Sequence, residues 1–266
     1  MKPLTDFPLA ARRAIKGVLC DIDDTVSTEG RITAEAYAAM ARLQQAGLLV
    51  IPVTGRPAGW CDHMARMWPV DGVVGENGAF YFRYDAAARR MRRHFVDDVA
   101  TRAAHRARLA EIGREIINAV PGAAIATDQH YRETDLAIDF CEDVPPLAQA
   151  AVDEIVLRME KHGLTAKVSS IHVNGWFGQY NKLGMTKTLL REGYGVDLDA
   201  HRAEYVFVGD SPNDAPMFGY FPHAVGVANL ADFGNRITHR PAYIASRRCG
   251  AGFAEVAAHL LSTNQY

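Results

Sequence analysis

The sequence predicts an α/β protein: a doubly wound, Rossmann-like parallel-sheet core with an inserted α+β cap domain. Three observations carry this reading. Short continuous apolar runs alternate with helical periodicity over residues 18–74, the signal of strands buried on both faces with helices between them. The same alternation returns after residue 180. The segment between the two has a different grammar, of alternating strands and long helices, so it reads as an insertion into the sheet.

Residues 18–22 form the first buried strand. Residues 34–45 follow as a helix, with Thr33 as N-cap, Glu35 in the first turn and Gly47 as C-cap. Strands at 48–53 and 71–74 flank a helix at 61–67, which completes β-α-β-α-β, the order of a parallel sheet. In the middle, 79–84 and 92–96 suggest a hairpin, and a helix at 104–118 is stopped by Pro121-Gly122. Strands at 123–126 and 136–140, a helix at 147–162 and a strand at 166–172 complete the insertion, with Pro145-Pro146 as an internal turn. After it come a helix at 185–191, a strand at 205–208, a helix at 214–220, and strands at 224–228 and 243–245. An amphipathic helix at 252–261 carries Phe253, Val256, Ala257 and Leu260 on one face. The expected division is 1–83 for the first part of the core, 84–179 for the insertion and 180–266 for the second part of the core.

A formal charge of −2 argues against nucleic acid or an anionic membrane as partner. The arginines from Arg89 to Arg108 suggest a basic patch, but residues 84–180 hold 12 Lys/Arg against 14 Asp/Glu, so they read as a solvated face with local ion pairs. Cys20, Cys61, Cys141 and Cys249 have neither a CxxC pair nor a zinc spacing, which suits a reducing compartment. Residues 1–16 lack an apolar leader and no stretch approaches a membrane span, so the expected location is the cytoplasm.

Four signals fall where predicted strands end, the edge at which open α/β sheets build sites. Asp21-Ile22-Asp23-Asp24-Thr25 follows the first strand, and carboxylates at i and i+2 leave a strand on the same side. Burying both without a cation is costly. Thr54-Gly55-Arg56 ends the second strand, where a hydroxyl and a glycine amide can hold a phosphate oxygen, though a simple turn reads the same way. Gly209-Asp210-Ser211-Pro212-Asn213-Asp214 is an acidic strand end suited to Mg²⁺, or a helix cap. Lys182 stands at the return from the insertion and gains weight only from the other three.

In this order the four motifs resemble the haloacid dehalogenase superfamily of phosphotransferases, whose pattern is DxDxT, Thr or Ser, Lys, then GDxxND. The 128 positions from Thr54 to Lys182 match the branch with a type-two cap. Gly75-Glu76-Asn77-Gly78-Ala79 looks like its B subtype, subfamily IIB, found in Cof-like sugar phosphatases, sucrose-phosphate phosphatase and phosphomannomutase. Asp24 stands where many Cof-like members have Gly. The resemblance implies an Mg²⁺-dependent phosphatase of a small phosphate ester, a sugar or polyol phosphate. Asp21 would be the nucleophile and Asp23 the general acid and base, with Lys182 balancing phosphoryl charge. Asp21, the backbone carbonyl of Asp23, and Asp210 would hold the metal. Thr54 and Gly55 would hold phosphate oxygens and Arg56 would meet substrate or the cap, with a structural ion pair as its alternative, while Ser211, Asn213 and Asp214 would support metal waters and Lys182 from behind.

Two other readings compete. A sugar phosphomutase would use the same aspartyl-phosphate and return the phosphoryl to a hydroxyl. A non-catalytic binding protein on this fold would be expected to lose Asp21, Asp23, Lys182 or Asp210, and all four are present. Among the histidines, His172 ranks above His63 and His130 as a substrate contact. Arg132 and Glu133 are candidates to read a leaving group, with a surface turn as the default.

Overall fold

A computed structural model describes residues 1–262, so the last four residues of the 180–266 segment lie outside the described residues. The core is a six-stranded, wholly parallel sheet in the order Lys2–Pro3, Tyr243–Ile244, Val225–Gly226, Tyr205–Gly209, Gly17–Cys20, Leu49–Pro52. Its central strands are buried throughout, which is why they read as unbroken apolar runs. Two apolar clusters cover the faces. Val18, Cys20 and Val50 join Met40, Leu43, Phe253 and Val256 on one side. Leu19, Ile51 and Phe207 join Leu189, Met217 and Phe221 on the other.

The helices sit where capping chemistry puts them. Thr33 accepts from Ala36 N at the start of Ala34–Gln45, and Gly47 follows that helix at φ +84°. Four helices, Ala58–Met67, Val99–Ala119, Lys182–Tyr194 and Cys249–Leu261, extend further than their periodicity predicts. Val99–Ala119 begins at the Asp98 cap, whose carboxylate accepts from Thr101 N at 2.8 Å. Cys249–Leu261 begins three residues earlier than its apolar face suggests.

The predicted third strand, Val73–Gly75, meets the parallel sheet through a single bridge, Val53 to Val74. It then pairs antiparallel with Phe80–Asp85, which pairs with Arg90–Phe95. This hairpin packs on the core: Phe80 and Phe82 belong to the core cluster and Phe95 lies against it. Of the nearby arginines, Arg92 pairs with Asp85 and Arg93 with Asp62 on exposed surface, as a solvated face requires.

The insertion has its own antiparallel sheet, Thr165–Val168, His172–Trp176, Asp135–Asp139 and Ala124–Ile125 in that order. It is covered by Val99–Ala119 and Gln149–Lys161 around Leu109, Ile116, Ile138 and Ile155. The single strand expected at 166–172 is two strands joined by a turn through Ser169, whose hydroxyl accepts from His172 N at 3.0 Å. His172–Trp176 escapes an apolar reading because Asn174 and Gly175 interrupt it, yet all five residues are buried. The four cysteines are free, and no helix among the described residues is long and apolar enough to cross a membrane.

Candidate active site

The strands Gly17–Cys20 and Tyr205–Gly209 are neighbours from which the sheet order diverges, so a crevice opens at their C-terminal ends. Asp21 N donates to Val208 O at 2.9 Å, which holds the two motif-bearing strand ends in register. The chain then folds tightly over the Ile22 carbonyl, which accepts from Val26 N and Ser27 N at 2.9 Å each, with Asp24 at φ +55°. This turn brings Thr25 back so that its hydroxyl donates to Asp210 Oδ1 at 3.0 Å. The first motif is thereby tied to the fourth.

Lys182 opens the helix Lys182–Tyr194 and is buried, with Nζ 3.1 Å from Asp21 Oδ1 and 2.9 Å from Asp214 Oδ1. Its position depends on Gly78, at φ +105°. A β-carbon there would lie 2.1 Å from Asn181 O and 2.7 Å from Lys182 N, so only glycine lets this turn seat the lysine. Asp214 Oδ2 accepts from Asp210 N and, at 3.4 Å, from Ser211 N. Ser211 and Asp214 form a capping box, as the helix-cap reading of this motif expects. Ser211 Oγ also donates to Asn213 Oδ1 at 2.7 Å.

Asp21, Asp210 and Asp214 are buried and offer carboxylate oxygens within 4.8 Å of one another. Burial, opposed by Lys182 and reinforced by Asp214 and Asp23, pushes Asp21 up to about 7. Burial, then Asp214 and Asp21, raises Asp210 well above the usual carboxylate range. Lys182 is raised as well: burial works against its charge, but Asp21 and Asp214 outweigh it. Three carboxylates against one ammonium leave an excess of buried negative charge, and an all-oxygen donor set fits a hard divalent cation such as Mg²⁺. The Asp23 carboxylate is outside this group and turns to Arg56 instead.

Thr54 is buried beside the same crevice, with its hydroxyl accepting from Arg56 N at 3.0 Å. The carbonyl of Gly55 accepts from Arg132 Nη1 at 2.8 Å. Arg56, expected to meet substrate or the cap or to form a structural ion pair, is committed to carboxylates. Its Nε donates to Asp23 at 2.9 and 3.1 Å, Nη2 pairs with Glu142 at 2.5 Å, and Nη1 lies 3.4 Å from Asp128. The guanidinium also lies 4.6 Å over the Trp60 ring. Burial works against the Glu142 charge, but His172 and Arg56 hold its carboxyl down to about 2. His172 Nε2 lies 2.9 Å from Glu142 Oε2, and the histidine lines the small space beside Asp21. His63 lines a cavity that Asp23 and Arg56 also border, and His130 lies against Tyr131 with ring centroids 3.8 Å apart and planes tilted by 43°.

A second buried network joins the core to the insertion. Glu76 and Asn77 adopt left-handed backbone, at φ +40° and +55°. The Glu76 carboxylate accepts from Ala58 N, Glu133 N, Thr134 N and the Thr134 hydroxyl. Arg132 pairs with Asp128 and Asp135 at 3.0 Å each, and Asn174 donates to Asp135 at 3.0 Å. The surface turn expected around Arg132 is thus a buried joint. Glu76, Asp128, Asp135 and Glu142 were not singled out by sequence reasoning. Glu76 lay inside a quoted motif, whereas Glu142 stands in a loop with no local pattern.

Asp23 and Arg56 border three spaces. One, beside Asp21 and His172, has a volume of about 10 Å³, the size of one water at most. A second, of about 600 Å³, is walled by Trp60, Met64, Trp68 and Tyr131. The third, of about 420 Å³, carries Asp24, Glu29, Glu142 and Asp143.

Comparison with known proteins bears on this arrangement. Residues 18–105 match the haloacid dehalogenase-like hydrolase family. A phosphoglycolate phosphatase of Haloarcula marismortui is 25% identical over 244 residues, which are 91% of this chain and 95% of the relative. Among solved structures, a Thermoplasma acidophilum protein superposes with a TM-score of 0.69 at 18% identity, covering 93% of this chain and 98% of its own. The C-terminal domain of the C. albicans trehalose-6-phosphate phosphatase superposes with a TM-score of 0.68 at 14% identity, covering 98% of each chain.

Proposed function

From residues 18–105, which match the haloacid dehalogenase-like hydrolase family, we propose an Mg²⁺-dependent phosphatase that hydrolyses a small phosphate ester, a sugar or polyol phosphate, through an aspartyl-phosphate on Asp21. The observation that carries this reading is the buried meeting of Asp21, Asp210 and Asp214 with Lys182 at the end of the parallel sheet. The archaeal relative is named a phosphoglycolate phosphatase and the fungal structure a trehalose-6-phosphate phosphatase, which supports the reaction class.

Asp21 Oδ attacks phosphorus in line with the leaving oxygen, forming an acyl phosphate as the ester P–O bond breaks. Lys182, 3.1 Å from Asp21, offsets the charge that otherwise repels a carboxylate from a phosphate dianion. Asp23 gives a proton to the leaving oxygen, then takes one from the water that attacks the phosphorus of the acyl phosphate. Free phosphate leaves and Asp21 is regenerated. Thr54 and the Gly55 amide orient the non-bridging oxygens. Arg56 is not needed for that task; it fixes the Asp23 carboxyl, with Nε at 2.9 Å. Asp21, Asp210 and the Asp23 carbonyl would hold Mg²⁺, while Asp214 supports Lys182. When bound, the cation supplies Lewis-acid charge neutralisation at the phosphate.

Inorganic phosphate release from a panel of phosphate esters, with EDTA and with added Mg²⁺, tests the proposal. Release that stops in EDTA and returns with Mg²⁺ is expected. Hexose phosphate isomerisation without phosphate release would replace the phosphatase reading by a mutase.

A further inference from the structure

Asp23, acting as the acid, must touch the ester oxygen, so the leaving group has to begin at Asp23. Beyond the space of about 10 Å³ beside Asp21, which must admit the phosphoryl group, Asp23 and Arg56 border two larger spaces. They differ in chemistry. The smaller is ringed by Asp24, Glu29, Glu142 and Asp143 against Arg31 and Arg56, and would repel an anion. The larger is walled by two indoles, Trp60 and Trp68, with Met64 below and Tyr131 reaching over from the insertion.

Resting on the phosphatase reading above, we propose that this 600 Å³ cavity is the leaving-group site and that it takes an uncharged ring with a flat apolar face. Trp60 is 38% and Tyr131 49% exposed, and the two stand on opposite sides of the core–insertion boundary. Large exposed aromatics gathered at one concavity mark a binding surface more often than chance exposure does. Gly59 keeps the wall close: a β-carbon there would lie 3.0 Å from Tyr131 Cβ. The single guanidinium at the inner end, Arg56, is already paired with Asp23 and Glu142. Apart from His63, the lining offers a leaving-group carboxylate no cationic group that is not already paired. Indole and phenol faces suit an aromatic ring or the C–H face of a sugar ring.

The test compares kcat and KM for phenyl phosphate, glucose 6-phosphate, glycerol 3-phosphate, 2-phosphoglycolate and phosphoethanolamine in wild type, Trp60→Ala and Tyr131→Ala. Both aromatics are at the surface, so the variants retain the core. The ring esters should lose about tenfold in kcat/KM, mainly through KM, while the acyclic esters move less than about twofold. Phenyl phosphate and glucose 6-phosphate then distinguish an aryl ring from a sugar. Binding of phenylphosphonate, which cannot be hydrolysed, should quench tryptophan fluorescence in wild type, and methylphosphonate should not. Ring and acyclic esters falling in parallel would overturn the proposal. So would a preference for phosphoethanolamine that Trp60→Ala leaves intact, since that puts the leaving group in the acidic space. Phosphate release from none of the esters would instead overturn the phosphatase reading, and phenylphosphonate quenching would still report on the cavity.

Discussion

Two buried charge clusters meet at the small space that Asp21 and Arg132 both line, and their hydrogen-bond satisfaction differs. Glu76, at the joint between core and insertion, is surrounded by three backbone amides and a hydroxyl, and the one guanidinium of Arg132 is shared by Asp128 and Asp135 beside it. Asp21, among the described residues, has Lys182 as its side-chain donor, and three carboxylates there share that one ammonium. A saturated buried network fixes a geometry, whereas an unsaturated one with excess charge is a place for a ligand to complete. The first cluster holds the insertion over the crevice. The second is the crevice.

The largest test of this contrast is Asp21→Asn. Turnover of p-nitrophenyl phosphate should fall by about 10³-fold or more, yet the melting temperature should hold or rise, because one of three repelling carboxylates is gone. A clear drop in melting temperature would mean that Asp21 is structural, like Glu76. Gly78→Ala comes next. Its new methyl meets the Asn181 carbonyl at 2.1 Å, so Lys182 must move, and kcat should drop about 10- to 100-fold. Unchanged kcat would show that the lysine needs no such seat.

Glu76→Gln should act the other way round. Turning an amide NH₂ toward backbone N–H donors should cost about 2–4 kcal/mol in urea unfolding, with little change in the chemistry of Asp21. The smallest effect is in pH. Asp21 in the folded chain keeps its proton to about pH 7, and Glu76 is raised in the same direction by its burial. An unfolded carboxyl releases its proton near pH 4, roughly. Across that window the folded state binds more protons than the unfolded state, so stability falls as pH rises. In EDTA the melting temperature should therefore decline between about pH 5 and 7.5, by a few degrees for roughly 1 kcal/mol. Saturating Mg²⁺ should flatten that decline in wild type and fail to do so in Asp210→Asn. A flat profile in EDTA would remove the excess-charge account of the cluster.

How much could be read in advance follows from the range of each interaction. Asp21, Thr54 and Asp210 were legible because each follows a buried strand, and strand ends in a parallel sheet converge by topology alone. Lys182 was legible only through its order with the others. The strand His172–Trp176 was misjudged because its polar Asn174 serves Asp135 across the sheet, a partner 39 positions away. For Arg56 the sequence leaves open substrate, the insertion or a structural ion pair, and it spans Asp23 in the core and Glu142 in the insertion.

By itself, then, the sequence determined the parallel core and the order of its motifs along the chain, since these depend on local periodicity and chain order. Tertiary structure alone decided which carboxylates share a proton-hungry site, which arginine is already spent, and which cavity Asp23 borders. Those outcomes depend on groups separated by tens to hundreds of residues, such as Lys182 with Asp21 or Arg56 with Glu142, and no local pattern encodes their meeting.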